Sequence, residues 1–288
     1  MESNDKEYWD IEIKPKQNYF TLNLKEVWKY RDLLWMYVHR DVVTVYKQTV
    51  LGPLWYIIQP LFTTIMYVFV FGNIAQISTD GLPQPLFYLA GILSWSYFSS
   101  CLGRASGTFL GNAGVFSKVY FPRLVVPLSG LITNLVQLAI QALLFVGIYM
   151  YFVFGQGIDI QPNKYALLMP VFIVMLAGLG LGIGIIISSV TIKYRDMGIL
   201  FGFATSLLMY ITPVIYPLSV MEANYPQFIW LIQLNPLTSI VEAVKYGLMG
   251  AGTFSWFWLG YSFVFSLVAF VIGSFMFNKV ERNFIDIV

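Results

Sequence analysis

Six long apolar runs punctuate the chain, at about 53–75, 85–103, 124–154, 165–190, 199–217 and 256–278. Each is continuous and close to or above the ~20 residues that an α-helix needs to cross the hydrocarbon core of a bilayer. A membrane barrel would alternate apolar and polar residues in shorter segments. Backbone groups in lipid must be satisfied within the segment, and helices do that. The pattern predicts an all-α membrane protein with six transmembrane helices.

Residues 24–51 follow another rhythm. Lys25, Lys29, Asp32, His39 and Arg40 recur at helical spacing, while Leu24, Val27, Trp28, Leu34, Trp35, Val38, Val42 and Val45 fill the other side. This predicts an amphipathic helix lying in the membrane interface. Its charges make it a poor span, at about 2.5–3.5 kcal/mol each at mid-membrane. Gly52-Pro53 ends it and turns the chain into the first crossing. The segment 218–255 is too long for a turn and too apolar for a solvated loop. Asn235-Pro236 splits it, and Gly250 and Gly252 close its second piece. Neither piece reaches spanning length, so the reading is two short helices that dip into the outer leaflet and return. Helices lying flat on the surface are the alternative.

Breakers and small residues refine the runs. Pro60 sits inside the first and should kink it, and Pro213 and Pro217 should break the fifth near the outer surface. In the fourth run, Gly178 and Gly182 share one helix face, and Gly180, Gly184 and Ser188 share another. Such faces let helices approach closely in lipid.

Charge gives the sidedness. Eight cationic residues precede the first run: Lys6, Lys14, Lys16, Lys25, Lys29, Arg31, Arg40 and Lys47. Arg104, Lys118 and Arg123 lie between the second and third runs, Lys193 and Arg195 between the fourth and fifth, and Lys279 and Arg282 in the tail. Only Lys164 and Lys245 fall on the other side. Cationic loops resist translocation, so both termini are expected in the cytoplasm. The 288 residues are 58% hydrophobic and 11% charged, which leaves little for a soluble domain. The organisation expected is a cytoplasmic extension (1–23), the interface helix (24–51), a transmembrane domain (52–280) and a cytoplasmic tail (281–288).

The chemistry of an engine is missing. No G-x-x-x-x-G-K-[ST] phosphate loop occurs. One His and one Cys leave no triad, no disulfide within the chain and no metal pattern. Asp80, Asp159, Glu222 and Glu242 all fall in or beside outer connections, so no acidic residue lies clearly inside a run. Ion-coupled carriers usually keep a charged group at mid-depth, which counts against that class without closing it, since backbone carbonyls bind sodium. Any uphill movement would draw its energy from a partner.

A set of short motifs then appears in order. Arg40-Asp41 is followed by Tyr46-Lys47-Gln48-Thr49-Val50-Leu51-Gly52-Pro53-Leu54-Trp55, Gln59-Pro60-Leu61 and Phe69-Val70-Phe71-Gly72. Leu89-Ala90-Gly91-Ile92-Leu93-Ser94-Trp95, Lys118-Val119-Tyr120-Phe121-Pro122-Arg123, Tyr194-Arg195-Asp196, Thr212-Pro213-Val214-Ile215-Tyr216-Pro217 and Leu234-Asn235-Pro236-Leu237 follow. Over about residues 24–280 the chain resembles the type-2 ABC exporter permeases of bacterial surface polysaccharides, the O-antigen, teichoic-acid and capsule exporters. The resemblance implies six crossings per subunit, a homodimer in the bacterial inner membrane, and two separate ABC ATPase subunits that carry ATP and magnesium on the cytoplasmic side. It implies an undecaprenyl-diphosphate-linked glycan as cargo. No cofactor, metal or nucleic acid is expected on this chain. Residues 1–23 fall outside the resemblance.

Candidate sites follow from this frame. The connection 104–123 is the expected ATPase contact, through Asn112, Phe116, Lys118, Tyr120 and Arg123, although a cationic topology anchor would look the same. Tyr194, Arg195 and Asp196 are a second contact or a tight charged turn. Arg31, Asp32, Arg40 and Asp41 of the interface helix should rest on the ATPase too. Sugar rings pack their C–H faces on aromatic planes, and Tyr67, Trp95 and Tyr97 are chosen as lane residues because Ser and Thr accompany them. A lipid diphosphate calls for cations at the inner interface, where Arg40, Lys47, Arg104 and Arg123 are available. Other readings are a permease for a drug or lipid, an ion-coupled secondary transporter, and a scaffold.

Overall fold

The computed structural model describes residues 24–47, 50–116, 118, 119 and 121–287. The expected extension 1–23 and the candidate Tyr120 lie outside them. Among the described residues the chain is helical throughout, without strands. Helices α1 (Leu24–Lys29) and α2 (Arg31–Lys47) replace the single helix expected before the first run, with a turn at Tyr30 between them. Val27, Tyr37 and Val38 are buried, whereas Trp28 and Trp35 stay exposed. Helix α2 packs along α7 (Val125–Met150).

Among the described residues, five helical stretches are long and apolar enough to cross a membrane: Gly52–Ile74, Gln84–Ser106, Val125–Gly155, Lys164–Thr191 and Trp256–Val280. The first contains α3 (Trp55–Tyr67), with Pro60 inside it, and a widened turn over Val68–Ile74. The others are built on α4 (Gln84–Ser106), α7, α8 (Met169–Thr191) and α13 (Trp256–Ile287). Helix α13 runs on through the segment read as a tail. The remaining run forms α9 (Asp196–Ile211), whose 16 residues are shorter than the other five. At 1.5 Å per residue it reaches about 24 Å, against a ~30 Å hydrocarbon core. It stops because Thr212 precedes Pro213 and adopts an extended backbone (φ −78°, ψ 138°), as steric conflict with a following proline ring demands.

The α8 glycines sort by face as their spacing predicts. A Cβ on Gly182 would stand 2.6 Å from the Ala269 carbonyl carbon, and one on Gly178 2.6 Å from Ser266 Oγ, both on α13. A Cβ on Gly184 would stand 2.8 Å from the Leu102 carbonyl oxygen, and one on Gly180 2.9 Å from that of Phe98, both on α4. Helix α8 is therefore clamped between α4 and α13 at near-backbone distance.

At the end opposite the cation-rich one, residues 212–217 run non-helical yet buried, with Thr212, Val214 and Ile215 inaccessible. Gly91 of α4 admits them, since a Cβ there would lie 2.7 Å from the Val214 carbonyl oxygen. Short helices α10 (Leu218–Asn224) and α11 (Ile229–Gln233) lead to α12 (Pro236–Met249). The Asn235 side chain caps α12 by accepting from the Leu237 amide at 3.1 Å. Gly250, left-handed at φ 75°, closes it. Most of α12 is buried, packed on α4, α8 and α13.

Candidate functional site

At the cation-rich end, the connection between α4 and α7 folds into two single turns, α5 (Thr108–Gly111) and α6 (Ala113–Phe116). Aromatic side chains anchor it. Phe109, wholly buried, stacks on Phe277 of α13 with centroids 4.6 Å apart and meets Phe116 at 6.2 Å. Phe116 touches Phe121 at 5.7 Å, and Phe121 meets Tyr37 of α2 at 6.3 Å. The Phe109 amide donates to Ser188 Oγ on α8 at 3.2 Å. One apolar core thus joins the connection to α2, α7, α8 and α13.

The predicted contact residues divide accordingly. Phe116 turns inward, and the Arg123 guanidinium lies 5.5 Å from its ring centroid. Asn112 serves the turn, its side-chain amide donating to the Thr108 carbonyl at 2.9 Å. Lys118 faces out, as do Leu110, Val115 and Val119. These apolar three were missed by a search for charge, and their exposure on an otherwise folded connection is the signal. Tyr194, Arg195 and Asp196 are exposed at the α8–α9 turn, two residues beyond Ile192 of the same core.

Of the proposed diphosphate cations, Arg40 and Arg104 come together and Asp41 stands between them. Asp41 Oδ2 accepts from Arg104 Nη1 at 2.7 Å, and Oδ1 from Arg40 Nη2 at 2.8 Å. Arg40 also lies over the Tyr37 ring at 4.6 Å. The Arg104 stem rests on Gly130 of α7, where a Cβ would meet its Cδ at 3.2 Å. Lys47 is exposed, and Arg123 sits with Phe116 instead. Arg31 and Asp32 are exposed and approach no closer than 3.9 Å.

The three lane aromatics do not share one open surface. Tyr67 is half-buried, donating to Met209 Sδ of α9 at 3.8 Å and meeting Tyr88 edge-on at 6.1 Å. Trp95 and Tyr97 are buried inside the subunit. A polar seam that the sequence reading overlooked runs between α4 and α7. There Asn134 donates to Cys101 Sγ at 3.5 Å, and Ser96 donates to Gln141 Oε1 at 3.5 Å.

A second overlooked feature is ionic. Glu242 and Lys245 of α12 are 2% and 1% exposed, with Lys245 Nζ 3.4 Å from Glu242 Oε1. Lys245 also donates to the Pro213 carbonyl at 2.5 Å and lies 3.8 Å from the Phe87 ring centroid. It ties α12 to the broken end of α9 and to α4. Burial raises the Glu242 carboxyl above its ordinary range and lowers the Lys245 ammonium, each opposed by attraction to the other. An i,i+3 Glu-Lys pair inside an apolar helix was the available clue.

Long apolar helices closed at one end by a cation-rich, folded connection define a multi-pass membrane protein. A profile of the ABC-2 type transporter family matches residues 32–249. The chain belongs to that family. It is 26% identical over 257 residues to the O-antigen export system permease protein RfbA of Klebsiella pneumoniae, covering 89% of this chain and 95% of that protein. A Myxococcus xanthus protein of the same name is 26% identical, over 77% of this chain and 82% of that protein. The polysialic acid transport protein KpsM of Escherichia coli is 25% identical, over 84% and 91%.

Proposed function

We propose that this chain is the permease subunit of an ATP-driven exporter that moves an undecaprenyl-diphosphate-linked polysaccharide across the bacterial inner membrane. In this reading it holds no ATPase site, and two ABC ATPase subunits carry ATP and magnesium. A second copy of the chain completes the pathway. The observation that carries the reading is the aromatic weld of the α5–α6 connection to four other helices. A push on Leu110, Val115, Lys118 or Val119 moves α2, α8 and α13 with it, because packed cores transmit displacement rather than absorb it. The cargo class rests on relatives that align over most of their length and whose names specify O-antigen and polysialic acid.

The finer topology belongs to this proposal. Helix α9 together with 212–217 makes the sixth crossing, α1 and α2 lie in the inner interface with Trp28 and Trp35 toward lipid, and α10–α12 re-enter from the outer side. The buried face of α12 supports re-entry over a helix lying flat. Arg40 and Arg104 receive the lipid diphosphate, with Tyr194, Arg195 and Asp196 as a second ATPase contact.

Deleting the gene should strip the surface glycan and leave its lipid-linked precursor inside the cell. Unchanged surface glycan sinks the reading, and so does nucleotide hydrolysis by the purified chain alone. Labelling of residues 218–255 from the cytoplasm would overturn the topology.

A further inference from the structure

A cavity of about 250 Å³ opens between the α10–α11 region, α12 and the start of α13. It is smaller than the ~300–1,000 Å³ that hold drug-sized ligands, and suits one small polar unit. Part of its wall is committed to structure. Thr238 donates to the Ile232 carbonyl at 2.7 Å, and Ser239 to the Trp258 carbonyl at 3.1 Å. These bonds fix its shape. Other groups are unspent. The side chains of Glu222 and Gln233 make no hydrogen bond or ion pair among the described residues.

Glu242 is a buried part of the lining. Its oxygens accept only at 3.4 Å from Lys245 Nζ and 3.4 Å from the Thr253 amide. Both contacts are long, and a carboxylate offers about four acceptor sites. Gly252, at φ 115°, passes so close that a Cβ would lie 3.2 Å from Glu242 Oε2. The backbone thus closes over one side of the carboxylate and leaves the cavity as the place for further donors. Phe254 and Trp258 supply aromatic surface in the same wall.

Carboxylate acceptors, an amide and aromatic surface in one lining match a pyranose, which brings several hydroxyl donors and an apolar C–H face. Anionic sugars meet like charge at Glu222 and Glu242. A calcium ion requires six to eight oxygens. Here one of the two carboxylates already faces an ammonium, and no group of three or more His, Cys, Asp or Glu gathers among the described residues.

We propose that this cavity binds one uncharged sugar unit of the exported glycan on the side of the membrane away from the ATPase. The proposal rests on the export reading and adds to it a site and a charge preference. Occupancy holds the emerging chain beside α12, whose Lys245 contacts the broken end of α9.

Saturation-transfer NMR on the full chain in lipid nanodiscs tests it. The probes are the methyl glycosides of glucose, galactose and mannose, N-acetylglucosamine, and glucuronate. At least one uncharged probe should receive saturation while glucuronate receives none. Gln233→Leu should weaken binding about tenfold, the loss of one good hydrogen-bonding partner. Trp258→Leu should do the same through lost ring contact, and both leave the Glu242–Lys245 pair intact. Silence from every uncharged probe, preference for glucuronate, unchanged binding in both variants, or displacement by millimolar calcium each overturns the proposal. Failure here with surface glycan lost in the deletion strain removes only the cavity site. Retained surface glycan removes the export reading itself.

Discussion

The two ends of this bundle are held by different physics. At the cation-rich end, Phe109, Phe116, Phe121 and Phe277 form an aromatic contact set, and the Phe109 N–H donates to Ser188 Oγ of α8. At the far end, the apolar packing of α12 is joined by directional bonds to other elements: Lys245, paired with Glu242 on the same helix, donates to the Pro213 carbonyl, and Ser239 meets Ser262 of α13 at 2.7 Å. Apolar packing is non-directional and resists any change of volume. A polar latch has a few discrete bonds that break and re-form. In the proposed exporter, the first suits transmission of a push and the second suits a change between two positions.

The largest expected effect tests that contrast directly. Lys245→Met leaves Glu242 buried without its cation and should cost about 3–5 kcal/mol. The double variant Glu242→Met with Lys245→Met should recover most of it, because an apolar pair removes the unpaired charge. Phe109→Ala should cost a similar ~3–5 kcal/mol through a cavity, with no second truncation able to restore it. Denaturant titration in mixed micelles reads all three. If the double variant stays as weak as Lys245→Met, the loss comes from the Lys245–Pro213 bond and not from an unpaired Glu242 charge.

A smaller effect probes what lies between the ends. Gly182→Val sets a branched side chain against α13 backbone 2.6 Å from its first carbon, and overpacking of this kind costs about 1–3 kcal/mol. Gly202→Val on α9, where nothing lies within 4 Å, should stay within about 0.5 kcal/mol, as exposed sites do. Equal losses at the two glycines would show that α8 is not the clamped element.

The parts of this architecture governed by local sterics were legible in the chain. The α8 glycine faces, the Asn235-Pro236 start and Gly250 end of α12, and the halt of α9 before Pro213 all follow from spacing and allowed dihedrals. The sites were less legible because they depend on which way a side chain turns. Trp95 and Tyr97 drew attention through neighbouring serines, yet Ser94 donates to the Ala90 carbonyl, Ser96 to that of Leu93 and Ser99 to that of Ser96. Hydroxyls that bond back to their own helix do not mark a wet face. Glu242 and Lys245 read as the charges of an outer connection: their i,i+3 spacing puts them on one helix face, but only tertiary packing reveals that this face is buried and meets Pro213. Asp41 read as a contact for the ATPase, because its pairing with Arg104 spans 63 positions.

That pairing gives the smallest expected change in stability and the sharpest test of the diphosphate reading. Asp41 lies 19% exposed between Arg104, at 37%, and Arg40, at 55%. Partly exposed pairs contribute about 0–1 kcal/mol, so Asp41→Asn should unfold within about 1 kcal/mol of the parent. The two guanidiniums, however, lose the anion that occupies them. A diphosphate brings more charge and more acceptor oxygens than one carboxylate, and guanidinium forks bind phosphate in two-point fashion. Inorganic pyrophosphate should therefore bind Asp41→Asn more tightly than the parent, by about tenfold if one charge-assisted bond's worth of competition is removed. Arg104→Gln should abolish that gain, and Lys47→Gln, on an exposed side chain away from the pair, should leave it in place. Calorimetry on the chain in uncharged lipid nanodiscs measures all of these. Equal pyrophosphate affinity in parent and Asp41→Asn would mean that Asp41 does not occupy a phosphate seat, and that Arg40 and Arg104 serve only to fasten α2 to α4.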